Sequence, residues 1–137
     1  MDWKIEVVMI PVADVDRAKA FYESLGFNCD VDHKANESFR VVQFTPPGSA
    51  CSITFGIGLG SDAKPGSYRG THLVVNDIEK AHAHLVACGV AANGPYWFGE
   101  NGQTPGLHPA REKFGTFCDF ADPDGNTWQV QEVPAGS

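Results

Sequence analysis

Residues 12–27 read VADVDRAKAFYESLGF and residues 75–90 read VNDIEKAHAHLVACGV, two stretches that align without gaps at an offset of 63. In both stretches apolar side chains recur every three or four positions, which is the period of an amphipathic helix. The third residue of each stretch is an aspartate that can cap a first turn, and the second-last is a glycine suited to end a helix. The chain is therefore predicted to contain the same helical unit twice.

A second pair of similar segments follows the helices. Residues 44–52 read FTPPGSACS and residues 121–129 read ADPDGNTWQ, now at an offset of 77. A proline and a glycine at matching places are typical of tight turns between antiparallel strands, so each half is predicted to run strand, helix and three strands. Eight strands are expected, near residues 4–11, 27–32, 38–44, 51–55, 71–75, 90–93, 115–121 and 127–132.

The two offsets differ by 14, so the second half is longer than the first by that number of residues. The extra length falls in residues 92–114, a segment rich in glycine and proline. Segments this long in a compact domain are often functional loops. We predict that residues 92–114 form a loop that covers a site as a lid.

The composition indicates one domain over residues 1–137, with a first module at about 4–58 and a second at about 69–132. A net charge of −7 argues against binding to nucleic acid, which requires clustered Lys and Arg. Neither a signal sequence nor an apolar run long enough for a membrane span is evident. A cytoplasmic location without membrane contact is therefore expected.

The helical stretch at residues 12–27 and the run DPDGNTW at residues 122–128 resemble those of the glyoxalase, bleomycin-resistance and ring-cleaving dioxygenase proteins. These proteins form the vicinal oxygen chelate superfamily. The resemblance implies an α+β fold in which two βαβββ modules form a half-open, eight-stranded barrel around a cup, often in homodimers. Isomerases, lyases, dioxygenases and drug-sequestering proteins share this fold, so the fold alone does not choose a function.

The resemblance also implies one divalent metal ion, held by His and Glu side chains on the first and last strand of each half. The corresponding positions in this chain are Val7, Ser52, Gly70 and Gln129. None of these side chains offers the carboxylate or imidazole donors that divalent ions require. No cofactor is therefore expected, and a divalent metal bound with the help of His72 is the alternative.

Polar side chains near these positions are the candidates for chemistry. His72 lies two residues beyond Gly70, so both point to the same face of a strand. It is predicted to be a catalytic general base, or else a histidine held by backbone partners. Gln129 and Ser52 are predicted to bind a ligand through their amide and hydroxyl groups.

The predicted lid and one strand supply further candidates for ligand binding. Trp97 and Phe98, with Tyr96 beside them, are expected to close over an apolar or aromatic ligand, or else to plug the edge of the barrel. His108 and Arg111 in the lid, and Arg40 in the strand FRVVQF, are expected to bind an anionic group or to pair with nearby carboxylates.

Together these features predict a glyoxalase-like protein that binds a small, partly apolar molecule in its cup without the usual metal, to sequester it or to convert it by acid–base chemistry. If the protein is an enzyme, a lyase or isomerase activity is expected. One alternative is a metal-dependent glyoxalase-type lyase or isomerase, or an extradiol-type dioxygenase. Another is a non-catalytic interaction module with a filled cup. The expected partners are a small molecule and a second copy of the chain.

Overall fold

The computed structural model describes residues 1–137 as two helices and nine strands. The first half contains β1 (Val7–Met9), α1 (Val15–Ser24), β2 (Asn28–Asn36), β3 (Phe39–Thr45) and β4 (Ser52–Ile57). The second half contains β5 (Thr71–Val75), α2 (Ile78–Ala87), β6 (Asn93–Gly99), β7 (Gly102–Pro105), β8 (Phe117–Ala121) and β9 (Thr127–Glu132). The expected α+β class, with two related modules, is confirmed.

Both helices begin and end as the repeated sequence predicts. The side chain of Asp14 accepts a hydrogen bond from the third amide of its helix, and Asp77 does the same at the start of α2. Gly26 and Gly89 follow the two helices with φ angles of 90° and 80°, in the left-handed region that favours glycine. Neither helix is long and apolar enough to cross a membrane.

The first compact unit consists of residues Met1–Tyr68 together with the turn Asp122–Asn126. Its sheet has the order β1-β4-β3-β2, with β1 parallel to β4 and the other neighbours antiparallel. The ring of Tyr22 on α1 is fully buried against Phe44 and Phe55 of this sheet. The helix and one face of the sheet therefore enclose an aromatic core.

The second compact unit consists of residues Arg69–Ala121 and Thr127–Ser137. Its sheet has the order β5-β9-β8-β6-β7, with β5 parallel to β9. Helix α2 lies against β6, β8 and β9. The stacked rings of Phe120 and Trp128 are almost completely buried, so they form the centre of this second core.

The segment predicted as a lid loop contains two strands. β6 and β7 pair antiparallel, with Tyr96 opposite Pro105 and Phe98 opposite Gln103. The loop prediction is therefore wrong for most of residues 93–105, and the chain has one strand more than the eight expected. Consecutive aromatic residues favour an extended strand, and this preference outweighs the glycines and prolines around them. A role as a lid stays a prediction.

Candidate functional site

The five-stranded sheet of the second unit has one face against α2 and one face that is more open. Trp128 and Val130 on β9 are buried on the helix side. Gln129 and Gln131 alternate with them and are only partly buried. We call this second surface the open face, and its side chains are those of His72, Val74, Asn93, Tyr96, Phe98, Phe117, Asp119, Gln129 and Gln131.

A row of polar residues crosses the open face at right angles to the strands. His72 on β5 lies opposite Gln129 on β9, and Gln129 lies opposite Asp119 on β8. Asp119 in turn lies opposite Asn93 on β6. Side chains in such a row are close enough to interact directly, so four separate strands bring their polar groups to one place.

Hydrogen bonds centred on Asp119 join three residues of the row, all except His72, with the help of Tyr96. The hydroxyl of Tyr96 donates to Oδ2 of Asp119 at 2.6 Å, and Nδ2 of Asn93 donates to Oδ1 at 2.8 Å. Nε2 of Gln129 donates to the Tyr96 oxygen at 3.1 Å. Burial and the neighbouring Asp119 carboxylate raise the pKa of Tyr96, so its hydroxyl remains protonated at neutral pH.

Aromatic rings border the polar row on one side. The rings of Tyr96 and Phe117 stack with centroids 6.0 Å apart, and Phe98 contacts Phe117 edge-on at 5.3 Å. Phe98 is nevertheless 57% exposed. Beside it lies a cavity of about 230 Å³ that is lined by Gly94, Pro95, Tyr96, Gln103 and Pro105. The open face thus offers apolar area next to fixed polar atoms.

The position of His72 corrects the ligand assignment made from sequence. Val7 lies opposite Ser52 in the first sheet, and the residue that lies opposite Gln129 in the second sheet is His72. Gly70, which the offset of 63 pairs with Val7, lies before β5. The reason is the connection between the first strand and the N-cap of the helix that follows it. This connection is two residues shorter in the second unit than in the first.

Ser52 belongs to the first unit and has a hydrogen-bonded neighbour there. Its hydroxyl lies 2.6 Å from the hydroxyl of Thr45, which in turn donates to the carboxylate of Asp30. Ser52 is therefore part of a polar chain across β2, β3 and β4.

Arg40 lies on the α1 side of the first sheet. Its guanidinium bonds both oxygens of Asp32 and also Oδ1 of Asp16 on α1. These carboxylates raise the pKa of Arg40, and the guanidinium and Lys19 lower the pKa of Asp32. The pairing predicted as the alternative to anion binding is the arrangement present in the structure.

The remaining candidates from the predicted lid lie away from the open face. Arg111 forms two hydrogen bonds with Glu132, which is buried on the helix side. Trp97 points to the side opposite its neighbour Phe98 and contacts the ring of His108 edge-on at 5.3 Å. Of the residues predicted from sequence, the open face brings together His72, Gln129 and Phe98, with Tyr96 beside Phe98.

Asp119 and Asn93 were missed as site residues, and Tyr96 was expected only as a ring beside Trp97 and Phe98. The sequence does contain one signal for Asp119, because it interrupts the apolar strand FCDFA at residues 117–121. Asn93 carries no comparable signal, because a register shift in the pairing of β6 with β8 is what brings it and Tyr96 to Asp119.

The side chains present do not fit a divalent metal ion. No group of three or more His, Cys, Asp or Glu side chains is arranged to hold one. On the open face His72 and Asp119 are the only residues of these types, and both oxygens of Asp119 already accept hydrogen bonds. The amide of Gln129 adds no charge to compensate the ion for its lost hydration.

Comparisons with known proteins agree on a family. A family model described as Glyoxalase/Bleomycin resistance protein/Dioxygenase superfamily matches residues 4–130. The chain is 29% identical to TnmS3, an antibiotic binding protein from Streptomyces sp. CB03234, with a TM-score of 0.75 and 96% of both chains covered. It is 28% identical to a superfamily member from Sphaerobacter thermophilus DSM 20745, with a TM-score of 0.73 and coverage of 96% and 98%. No match was found among curated proteins.

Proposed function

Since the chain belongs to the Glyoxalase/Bleomycin resistance protein/Dioxygenase superfamily, we propose that it sequesters a small, partly apolar organic molecule on the open face, without a metal ion. The observation that carries this proposal is the hydrogen-bonded group of Tyr96, Asp119 and Gln129 beside the exposed ring of Phe98. Sites for small molecules typically combine apolar and aromatic area with a few fixed polar atoms.

The similarity to TnmS3 supports a binding role. That protein is described as antibiotic binding, and it matches 96% of this chain. For this chain we propose an organic molecule with a ring system, because the exposed ring of Phe98 offers a surface for aromatic contact. Such a molecule would cover Phe98 and Phe117 while its polar substituents reach the row of polar residues.

The chemistry of the open face favours binding over catalysis. Two donors stabilise the charged form of Asp119 and so make it a weaker general base, and the hydroxyl of Tyr96 remains protonated. The side chain of His72 is exposed and makes no hydrogen bond that would fix its orientation. Catalytic histidines are normally oriented by a partner, so we assign His72 to ligand contact rather than to proton transfer.

The test is a titration of the ¹⁵N-labelled protein with 2-naphthol, followed by the shifts of backbone amide resonances. Saturable shifts are expected on β5, β6, β8 and β9, with the largest near Tyr96 and Asp119. The control is the addition of the same volume of cosolvent without 2-naphthol to the labelled protein. Absence of saturable shifts on these strands, or shifts confined to β1–β4, would contradict the proposal.

A homodimer, a cytoplasmic location and the lack of contact with nucleic acid stay predictions from the sequence. Sedimentation velocity of the purified protein at several concentrations would test the homodimer. A monomer over the whole range would exclude it.

A further inference from the structure

The hydrogen bonds around Asp119 have a fixed direction. The single proton of the Tyr96 hydroxyl is used for Asp119, and one N–H of Asn93 is directed to the same carboxylate. The Tyr96 oxygen in turn accepts an N–H from Gln129. The Tyr96 proton and one N–H of each amide therefore point inward toward one negative charge.

The orientation of the two amides decides which atoms remain for a ligand. Because Nε2 of Gln129 is turned toward Tyr96, its Oε1 is left without a hydrogen-bond partner in the protein. Asn93 likewise directs Nδ2 to Asp119 and leaves Oδ1 free. Both residues are at least partly exposed, so the row presents these two amide oxygens as acceptors, beside one further N–H of each amide.

The negative charge of the row also disfavours an anionic ligand. Asp119 forms no ion pair with a lysine or arginine, since its partners are a tyrosine and an asparagine. The protein as a whole carries a net charge of −7. An anionic ligand would therefore meet a negative potential that no neighbouring lysine or arginine offsets.

We infer that the open face selects neutral or cationic aromatic molecules that carry an O–H or N–H donor, and that it rejects carboxylates. The ring covers Phe98 and Phe117 while the donor reaches Oε1 of Gln129. This inference rests on the proposed function, because it specifies the chemical class of the molecule bound at that site.

Three probes with the same ring system separate the contribution of the donor group from that of the ligand's charge. The affinity of the protein for 2-naphthol, 2-methoxynaphthalene and 2-naphthoate is measured at pH 7 by calorimetry or by amide shifts. Removing the donor in the methyl ether should weaken binding by about tenfold, the value of one good hydrogen bond. The anionic 2-naphthoate should bind at least about tenfold more weakly than 2-naphthol.

A matched pair of variants locates the acceptor. Gln129→Leu should remove the preference for 2-naphthol over its methyl ether, because the acceptor oxygen is lost. Gln131→Leu is the control, since Gln131 is the next residue of β9 on the same face and bonds none of the row. The ratio of the two affinities is read within each variant, so a change in overall stability does not imitate the result.

Asp119→Asn separately tests the effect of the negative charge on the Asp119 carboxylate. The ratio of the affinity for 2-naphthoate to the affinity for 2-naphthol should be at least about fivefold higher in this variant than in the wild type. Equal affinities of the wild type for all three probes would overturn the inference while leaving the proposed function intact. Tighter binding of 2-naphthoate would also overturn it. If none of the probes binds, the proposed function fails and the inference fails with it.

Discussion

Arg111 forms two hydrogen bonds with the carboxylate of Glu132, at 2.8 and 2.5 Å, although Glu132 is completely buried. The same carboxylate accepts the backbone N–H of Ile78 in the first turn of α2 at 2.9 Å. A buried charge is tolerated only when such partners replace its hydration. The pair therefore fixes the segment around Arg111 to β9 and to the start of α2.

This arrangement predicts how stability depends on pH. The Arg111 guanidinium, with the Ile78 N–H, lowers the pKa of Glu132 below its ordinary value of 4.5. A lowered pKa means that the carboxylate stabilises the fold above about pH 4.5 and that this contribution is lost as the pH falls below it. Glu132→Gln should lose about 2 kcal/mol at pH 7 and should differ less from the wild type at pH 3, in urea unfolding.

The control for this experiment is Glu112→Gln, which removes a carboxylate that is 74% exposed in the same segment. Its unfolding curve should stay close to that of the wild type at both pH values. If the Glu132→Gln and wild-type stabilities run parallel from pH 7 to pH 3, the assignment of the pH dependence to Glu132 is wrong.

The reactivity of the cysteines offers a test of the second core. Burial raises the pKa of the Cys118 thiol to about 11, and its side chain is 0% exposed. The thiol should therefore not react with a chromogenic disulfide reagent at pH 8 until the protein unfolds. Cys118→Ala should leave the number of thiols that react in the native state unchanged and lower the number after denaturation by one. If fewer thiols react in native Cys118→Ala than in the native wild type, Cys118 is accessible in the folded protein and β8 must open.

Local features of the sequence predicted the helices well. The apolar spacing and the capping residues Asp14 and Asp77 act within one or two turns, so their effect can be recognised from adjacent residues alone. The turns between the last two strands of each half are equally local. Together these local features are sufficient to predict the order of strands and helices in each module and the family to which the chain belongs.

The site depended on information that is not local. Asp119, Gln129 and Tyr96 meet because three strands have a particular register, and that register includes an irregularity between Asn93 and Tyr96. The shorter connection before α2 moves His72, instead of Gly70, to the position opposite Gln129. Neither effect leaves a pattern in a single stretch of sequence, so the candidates in the lid were chosen by residue type alone.

The hydroxyl of Tyr22 provides a stability test in the first unit. It donates to Oδ2 of Asp122 at 2.8 Å, and both side chains are buried. Tyr22→Phe keeps the ring and removes the hydrogen bond to a charged group, so unfolding free energy should fall by about 2 kcal/mol. Asp122→Asn and the double variant complete a cycle in which the two effects should be clearly non-additive. Additive effects would show that the bond contributes nothing.

Phe98 separates ligand binding from stability. Its ring is 57% exposed, so Phe98→Ala should change the free energy of unfolding by less than about 0.5 kcal/mol. The affinity for 2-naphthol should nevertheless fall by about tenfold, because a ring contact and its apolar area are lost. Phe39→Ala, at a residue 37% exposed in the other unit, is the control and should leave the affinity unchanged. Equal losses in the two variants would argue against a site at the open face.

The donor set makes a prediction about metal ions that does not depend on any ligand. His72 and Asp119 are the only side chains of metal-binding type on the open face, and the carboxylate of Asp119 is engaged by Tyr96 and Asn93. A divalent ion bound there would have to break those bonds and would gain at most one charged donor. The purified protein should therefore contain far less than one metal ion per chain by mass spectrometry. Its melting temperature should not respond to a strong chelator or to added Zn²⁺, Mn²⁺ or Ni²⁺. One tightly held ion per chain, with melting that is sensitive to the chelator and with loss of the ion in His72→Ala, would instead establish a metal site at this face.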